Sequence, residues 1–289
     1  MYESFYGYKE RPFNVTPDAR FFFPSAKHKE ALDSLTYAVS QRLGFVVITG
    51  EIGAGKTTVC RTLLKRLPAT TKVAVITNTL VSGPDLLSAV LDEFELPVKN
   101  REPRWKMIGR LNEFLIKALS HDENVVLVID EAQNLTPSVL EQIRLLSNLE
   151  TESVKLLQII LMGQPELRKK LDLPKLTQLK QRVLVAYHLQ PLDPMETQAY
   201  VQHRQTLVGA ASSAFTTEAI GVVYSCSRGV PRLINLLCER ALLTGYAEQI
   251  KPIDHRLMRE VVEDLMSDHA GWRPEKPQEL ITQLIGGNS

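Results

Sequence analysis

The fold is decided by the stretch Gly50-Glu51-Ile52-Gly53-Ala54-Gly55-Lys56-Thr57. It follows the short apolar run Phe45–Thr49, and a helical pattern begins at Lys56, Thr57 and Thr58. A G-x-x-x-x-G-K-[ST] pattern between a strand and a helix forms a loop whose backbone N–H groups turn toward phosphates. The Lys56 ammonium then lies near the β- and γ-phosphates, and the Thr57 hydroxyl coordinates Mg²⁺. We therefore predict that residues 50–58 bind a nucleoside triphosphate.

A second signal follows the apolar run Val125–Ile129, where Asp130 and Glu131 stand side by side. A carboxylate at the end of a buried strand can hold the magnesium shell, which is the role predicted for Asp130. Glu131 can accept a proton from the attacking water as general base. An acidic pair after a strand is also common at the start of a helix. Combined with residues 50–58, however, the pair predicts a hydrolase rather than a nucleotide kinase.

The order of apolar runs and amphipathic stretches predicts an α/β sheet of five parallel strands followed by helices. The predicted strands are Phe45–Thr49, Val73–Thr77, Val125–Asp130, Leu156–Met162 and Val183–Leu189. The predicted helices after Pro191 cover about 194–208, 217–226, 230–248 and 254–267. We divide the chain into an N-terminal segment (1–44), a core (45–190), a helical lid (191–268) and a tail (269–289). A two-domain helicase needs a second α/β domain, which this pattern does not contain.

Composition excludes several classes of protein. The chain has 289 residues with 44% hydrophobic and 23% charged side chains, so we expect a globular protein. A net charge of +1 argues against a surface that binds nucleic acid over its whole extent. No apolar run approaches the roughly 20 residues of a membrane-spanning helix, and the N-terminus lacks the pattern of a signal peptide. Three cysteines without a C-x-x-C pair favour a reducing compartment, and we expect a cytoplasmic protein.

The chain is similar to AAA+ ATPases at three further positions. Gln164 follows the fourth predicted strand, where these proteins carry the polar residue called sensor 1. Arg182 precedes the last strand, at the position from which they present an arginine finger to the neighbouring subunit. Arg232, in Gly229-Val230-Pro231-Arg232-Leu233-Ile234-Asn235, resembles the sensor 2 arginine that folds the lid onto the γ-phosphate. A surface ion pair is the simpler interpretation of any single arginine, so the resemblance depends on all three in this order.

Residues 1–267 resemble the ExeA/GspA-type AAA+ ATPases. The resemblance is carried by Phe5-Tyr6-Gly7, Pro12-Phe13-Asn14-Val15-Thr16-Pro17-Asp18, Phe21-Phe22-Phe23, His28, Glu30-Ala31-Leu32, Gly44-Phe45, Asp130-Glu131-Ala132-Gln133-Asn134-Leu135 and Leu161-Met162-Gly163-Gln164-Pro165-Glu166-Leu167. It implies an AAA+ P-loop core with an all-α lid, ATP as the nucleotide, and an N-terminal segment that wraps the adenine side. Packing of that segment on the core explains its aromatic residues equally well. Long members continue through a membrane span into a periplasmic part, whereas this chain stops at Ser289, so we expect a short member.

Two local concentrations of positive charge bear on whether the protein binds DNA. The first basic stretch comprises Lys99, Arg101, Arg104, Lys106 and Arg110, and the second comprises Arg168, Lys169, Lys170, Lys175, Lys180 and Arg182. Each by itself is most simply a solvated helix face. In a ring or filament, however, subunits would align these residues around duplex DNA, and the phosphate contacts would add up.

Two functions of different classes follow. In the first, the ATPase self-associates through its ATP interface and drives assembly of a secretion or pilus-type envelope machine with protein partners. In the second, it resembles the TnsC/TniB transposition ATPases, loads on duplex DNA and recruits a transposase. The absence of a membrane span weakens the first function, and the near-zero net charge weakens the second. The family resemblance favours the first. A signalling NTPase whose partner is a kinase or an exopolysaccharide regulator is a third possibility.

Overall fold

The structure is a computed structural model that describes residues 1–14, 18–99, 102–152 and 154–268. Three features of the sequence analysis lie outside these residues. They are Val15, Thr16 and Pro17 of the family motif, Arg101 of the first basic stretch, and the predicted tail 269–289.

The described residues form twelve α-helices and five β-strands. The helices are α1 (Tyr2–Tyr6), α2 (Ala26–Ser40), α3 (Lys56–Arg66), α4 (Gly83–Glu93), α5 (Arg104–Ser120), α6 (Pro137–Leu146), α7 (Pro165–Leu171), α8 (Thr177–Arg182), α9 (Pro194–Leu207), α10 (Thr217–Ser227), α11 (Pro231–Ala247) and α12 (His255–Asp268). The strands are β1 (Phe45–Gly50), β2 (Lys72–Ile76), β3 (Val125–Ile129), β4 (Gln158–Gly163) and β5 (Val183–Leu189). Among these helices, none has the length and apolar character needed to cross a membrane.

The five strands form one parallel sheet in the order β2-β3-β4-β1-β5. Every residue of β1, β3 and β4 is buried, which is why these strands are continuous apolar runs in the sequence. The predicted five-stranded parallel sheet is confirmed. The fourth strand begins later than predicted, because Leu156 and Leu157 are buried in the connection that follows an isolated bridge between Glu150 and Lys155.

The chain packs as two compact units that are not continuous in sequence. The sheet unit comprises the described residues of Ala26–Ile52 and Lys56–Gln190. Its main core joins alternate strand residues, such as Val47, Leu127 and Leu161, to side chains of α4, α5 and α6. On the same sheet, α2 packs against β5 and α3 packs against β1. Helices therefore cover the apolar strands, as an α/β fold requires.

The helical unit comprises the described residues of Met1–Ser25, Gly53–Gly55 and those from Pro191 onward. The four helices predicted after Pro191 are confirmed to within about two residues as α9 to α12. Aromatic side chains near the N-terminus belong to this unit: the Tyr8 hydroxyl donates to Gln205 Oε1 at 2.8 Å, and Phe13 is fully buried. The Arg204 guanidinium lies 4.6 Å from the centre of the Phe21 ring. Packing on the helices thus accounts for these rings, and their contact with adenine stays a prediction.

Candidate functional site

Three neighbouring strands of the sheet bring the predicted site residues to one edge. Strands β3, β4 and β1 are adjacent and parallel, so their carboxyl ends lie side by side. The phosphate-binding sequence follows β1, Asp130 and Glu131 follow β3, and Gln164 follows β4. Ligands of open α/β sheets bind outside the carboxyl ends of the strands. Residues that are far apart in the sequence are therefore combined where this fold places its ligand.

The loop at residues 50–55 has the backbone conformation that its glycines permit. Gly53 has a φ of 80° and Gly55 a φ of 98°, which side chains other than glycine rarely adopt. Gly53–Gly55 belong to the helical unit, and the main-chain N–H of Arg232 in the same unit donates to Gly53 O at 3.3 Å. A Cβ at Gly53 would lie 2.5 Å from the Arg232 Cβ. Arg232, predicted as sensor 2, therefore lies against Gly53 within the helical unit.

Lys56 begins α3 with a buried side chain, of which 6% is exposed. Its ammonium donates to Gly50 O at 2.8 Å and to Glu51 O at 2.9 Å. Burial lowers the pKa of Lys56 because it penalises the charged form, and the negative charges of Glu131 and Asp130 oppose that effect. The two carbonyl oxygens and the nearby carboxylates thus compensate for part of the lost hydration. An ammonium in this position is suited to bind phosphate oxygens.

Thr57 and Asp130 provide neighbouring oxygen atoms. The Thr57 hydroxyl donates to Asp130 Oδ2 at 3.3 Å, and the other oxygen, Oδ1, accepts the Glu131 N–H at 2.9 Å. Hydroxyl and carboxylate oxygens are the donors that Mg²⁺ prefers. The described residues contain no group of three or more His, Cys, Asp or Glu side chains placed to hold a metal ion. The Thr57 hydroxyl and the Asp130 carboxylate are therefore the two groups that would hold a magnesium ion at this site.

Glu131 is held by its main chain and by its carboxylate. Its φ of 50° lies in the left-handed region, which costs on the order of 1 kcal/mol for a residue with a side chain. The Thr79 hydroxyl donates to Glu131 O at 3.2 Å. Glu131 Oε2 accepts from Gln164 Nε2 at 3.3 Å and from Gln133 Nε2 at 2.5 Å. The structure thus joins Gln164 to Glu131. It adds Thr79, which the sequence did not indicate, and Gln133, which appeared only as part of the family motif.

Arg182 is the last residue of α8 and is half-buried. Its Nη1 donates to Ser147 Oγ at 2.5 Å and to Arg144 O at 3.5 Å, both within the sheet unit. The side chain is therefore bound to its own chain at the end of α6. Its predicted role toward a neighbouring subunit would require these hydrogen bonds to be exchanged.

Several cations of the two basic stretches have partners within the protein. Arg110 forms two hydrogen bonds with the Glu102 carboxylate, at 2.6 and 3.1 Å. Lys180 donates to Asp172 at 2.6 Å, and the Lys170 ammonium donates to the main-chain oxygens of Gln133 and Leu135. The carboxylates of Glu102 and Asp172 thus offset the charge of Arg110 and Lys180, whereas Lys170 and Arg182 keep their charge and are held by oxygen atoms of the protein.

The sequence of the chain matches one family and one curated relative. The family described as "AAA domain" matches residues 39–171. The chain is similar to General secretion pathway protein A of Aeromonas hydrophila, with 43% identity over 255 residues. The alignment covers 88% of this chain and 47% of the relative, so the chain spans about half of that protein's length.

Solved structures share the fold at low sequence identity. Cdc6p from Pyrobaculum aerophilum superposes with a TM-score of 0.64 at 17% identity, covering 86% of this chain and 71% of that protein. The Aeropyrum pernix ORC1 protein in complex with DNA superposes with a TM-score of 0.64 at 16% identity, covering 90% and 70%. At these identities the likeness shows the fold alone. It confirms a P-loop α/β core with a helical C-terminal region.

Proposed function

Because this chain belongs to the ExeA/GspA-type AAA ATPases, we propose that it binds ATP with Mg²⁺ at residues 50–58 and hydrolyses it. One observation carries the proposal. The buried Lys56 ammonium, the Thr57–Asp130 pair and the Glu131 carboxylate follow β1 and β3 at one edge of the sheet. These groups bind phosphate, hold a hard cation and accept a proton, which are the three tasks of triphosphate hydrolysis.

Each residue has a distinct part in the proposed reaction. A water attacks the γ-phosphorus, its proton passes to Glu131, and the bond from phosphorus to the bridging oxygen of ADP breaks. Lys56 binds the β- and γ-phosphates, and Gln164 orients Glu131. When bound by Thr57 and Asp130, Mg²⁺ would withdraw charge from the phosphate oxygens. We also propose that Arg182 of a neighbouring subunit and Arg232 of the same chain place positive charge near the γ-phosphate.

For the biological role, we propose that the ATP cycle drives assembly of a secretion or pilus-type envelope machine. The support is the 43% identity to General secretion pathway protein A, whose remaining length this alignment does not cover. Self-association through the ATP interface is part of the proposal, since Arg182 is predicted to act on the nucleotide of a neighbouring subunit. We also propose that the protein acts in the cytoplasm, because the free, buried cysteines Cys60, Cys226 and Cys238 fit a reducing compartment.

Replacing the phosphate-binding lysine tests the site. Lys56→Ala should lose measurable ATP binding and hydrolysis, because no other described ammonium lies on the carbonyls of Gly50 and Glu51. Hydrolysis is followed as phosphate release, and binding as titration with a fluorescent ATP analogue. Retained turnover in this variant would contradict the site assignment.

Adding long duplex DNA to the same wild-type assay at low salt tests the second function. We expect no stimulation, because Arg110, Lys170, Lys180 and Arg182 have partners within the protein. Strong stimulation that falls as salt is raised would instead support a DNA-associated regulator.

A further inference from the structure

Gln133 links two loops of the proposed hydrolytic centre. It lies in a short 3-10 helix, Ala132–Asn134, directly after Glu131. Its Oε1 accepts the main-chain N–H of Gln164 at 3.1 Å, and its Nε2 donates to Glu131 Oε2 at 2.5 Å. Since a backbone N–H can only donate, the bond to Gln164 fixes which end of the amide is oxygen. The NH₂ end must therefore face the Glu131 carboxylate.

The surroundings of Gln133 leave little room for another arrangement. A Cβ at Gly163 would lie 2.8 Å from Gln133 Oε1, so the absence of a side chain there lets the amide reach the end of β4. On its other side, the Lys170 ammonium binds the main-chain oxygens of Gln133 and Leu135, the latter at 2.7 Å. The side chain and the main chain of Gln133 are thus both tied to the segment from β4 to α7.

Both amide donors reach the same carboxylate oxygen. Gln133 and Gln164 each donate to Glu131 Oε2, and among the described residues no donor lies on Oε1. Two donors on one oxygen fix the orientation of the carboxylate plane. They leave Oε1 as the oxygen that can take a proton from water.

We propose that Gln133 is a positioning residue for hydrolysis, which acts by orienting the Glu131 carboxylate so that Oε1 faces the attacking water. This inference rests on the proposed function, because it assumes that Glu131 is the general base. A small displacement of a catalytic group costs up to about a hundredfold in rate without weakening substrate binding. Loss of the Gln133 amide should therefore lower kcat and leave KM nearly unchanged.

The test uses Gln133→Met, which keeps the length of the side chain and removes both polar ends. We expect kcat for ATP to fall by about tenfold or more, with KM and analogue binding within about twofold of wild type. Lys170→Met, which frees the main chain of Gln133, should show a smaller loss of the same kind. Gln178→Met, at an exposed position of α8, is the matched control and should not change kcat.

Two further variants make the result decisive. If Gln133→Met does not fold, Gln133→Asn retains the amide but is one methylene too short to join Gln164 to Glu131, and the same loss is expected. Glu131→Gln measures the proposed function separately. Loss of turnover in Glu131→Gln with kcat unchanged in Gln133→Met overturns this inference alone. Equal changes in kcat and KM with a lowered Tm would assign Gln133 to folding, and full turnover in Glu131→Gln would overturn the proposed function itself.

Discussion

Replacing Glu131 by glutamine removes its ability to accept a proton and preserves its shape. In the structure Oε2 accepts two amide N–H groups, from Gln133 and Gln164. In Glu131→Gln the new amide oxygen takes that place, so the new NH₂ group faces the water in place of Oε1. General-base catalysis contributes about 10²–10⁴-fold, so kcat should fall by that factor. At about 1.4 kcal/mol for each tenfold, the loss corresponds to roughly 3–5.5 kcal/mol of barrier.

Nucleotide binding should survive this substitution. Lys56, Thr57 and Asp130 keep their contacts, and the main chain of Glu131 remains held by Thr79. Removing a negative charge near the phosphates should strengthen ATP binding rather than weaken it. The variant should therefore retain ATP and turn over only slowly.

The assay combines steady-state phosphate release at saturating ATP with titration of a fluorescent ATP analogue. Glu166→Gln is the matched control, because it removes the same charge from an exposed residue whose carboxylate also acts on Lys56. Its kcat should stay within about threefold of wild type. A kcat for Glu131→Gln within tenfold of wild type, with binding intact, would refute the reasoning. Glu131 would then be an acidic residue of structural importance, and another group would take the proton.

Two other predictions concern assembly and stability. If Arg182 acts between subunits, mixing Arg182→Ala protein with Glu131→Gln protein should restore part of the turnover. If oligomers that demonstrably contain both proteins show no restored turnover, Arg182 has a structural role through its hydrogen bond to Ser147. Gly229→Ala should destabilise the fold by about 2 kcal/mol or more, because φ is 74° and the new Cβ would lie 1.8 Å from Leu192 O. Thermal unfolding compares the stability of this variant with that of Gly221→Ala. Gly221 is an exposed helical residue at which an added Cβ would have no atom within 4 Å, so this substitution should stabilise the fold by about 0.5–1 kcal/mol.

The sequence predicted the strands well because burial on both faces requires continuous apolar runs. Strands β1, β3 and β4 are buried throughout, and their ends agree with the prediction to within two residues. The largest difference is at the start of β4, where Leu156 and Leu157 were predicted to belong to the strand. They are buried in the connection before it, and an apolar run alone does not distinguish a buried connection from a strand.

The contacts of the site could not be predicted in the same way. Gln133 meets Gln164 because β3 and β4 are neighbours in the sheet, although 31 positions separate the two residues in the sequence. Arg182 meets Ser147 for the comparable reason that α8 packs against α6. A motif identifies a residue type at a position, whereas these hydrogen bonds depend on which elements the fold brings together.

Lys170 shows why the two kinds of information have to be combined. In the sequence it belongs to the second basic stretch and would be mutated with Arg168 and Lys169 to test for DNA contacts. In the structure its ammonium binds the main chain at Gln133 and Leu135, two and four residues after Glu131. A charge-removing substitution that includes Lys170 would therefore alter the hydrolytic centre directly. Loss of ATP hydrolysis in such a variant would therefore say nothing about DNA binding. A test for DNA contacts should replace Arg168 and Lys169 and leave Lys170 in place.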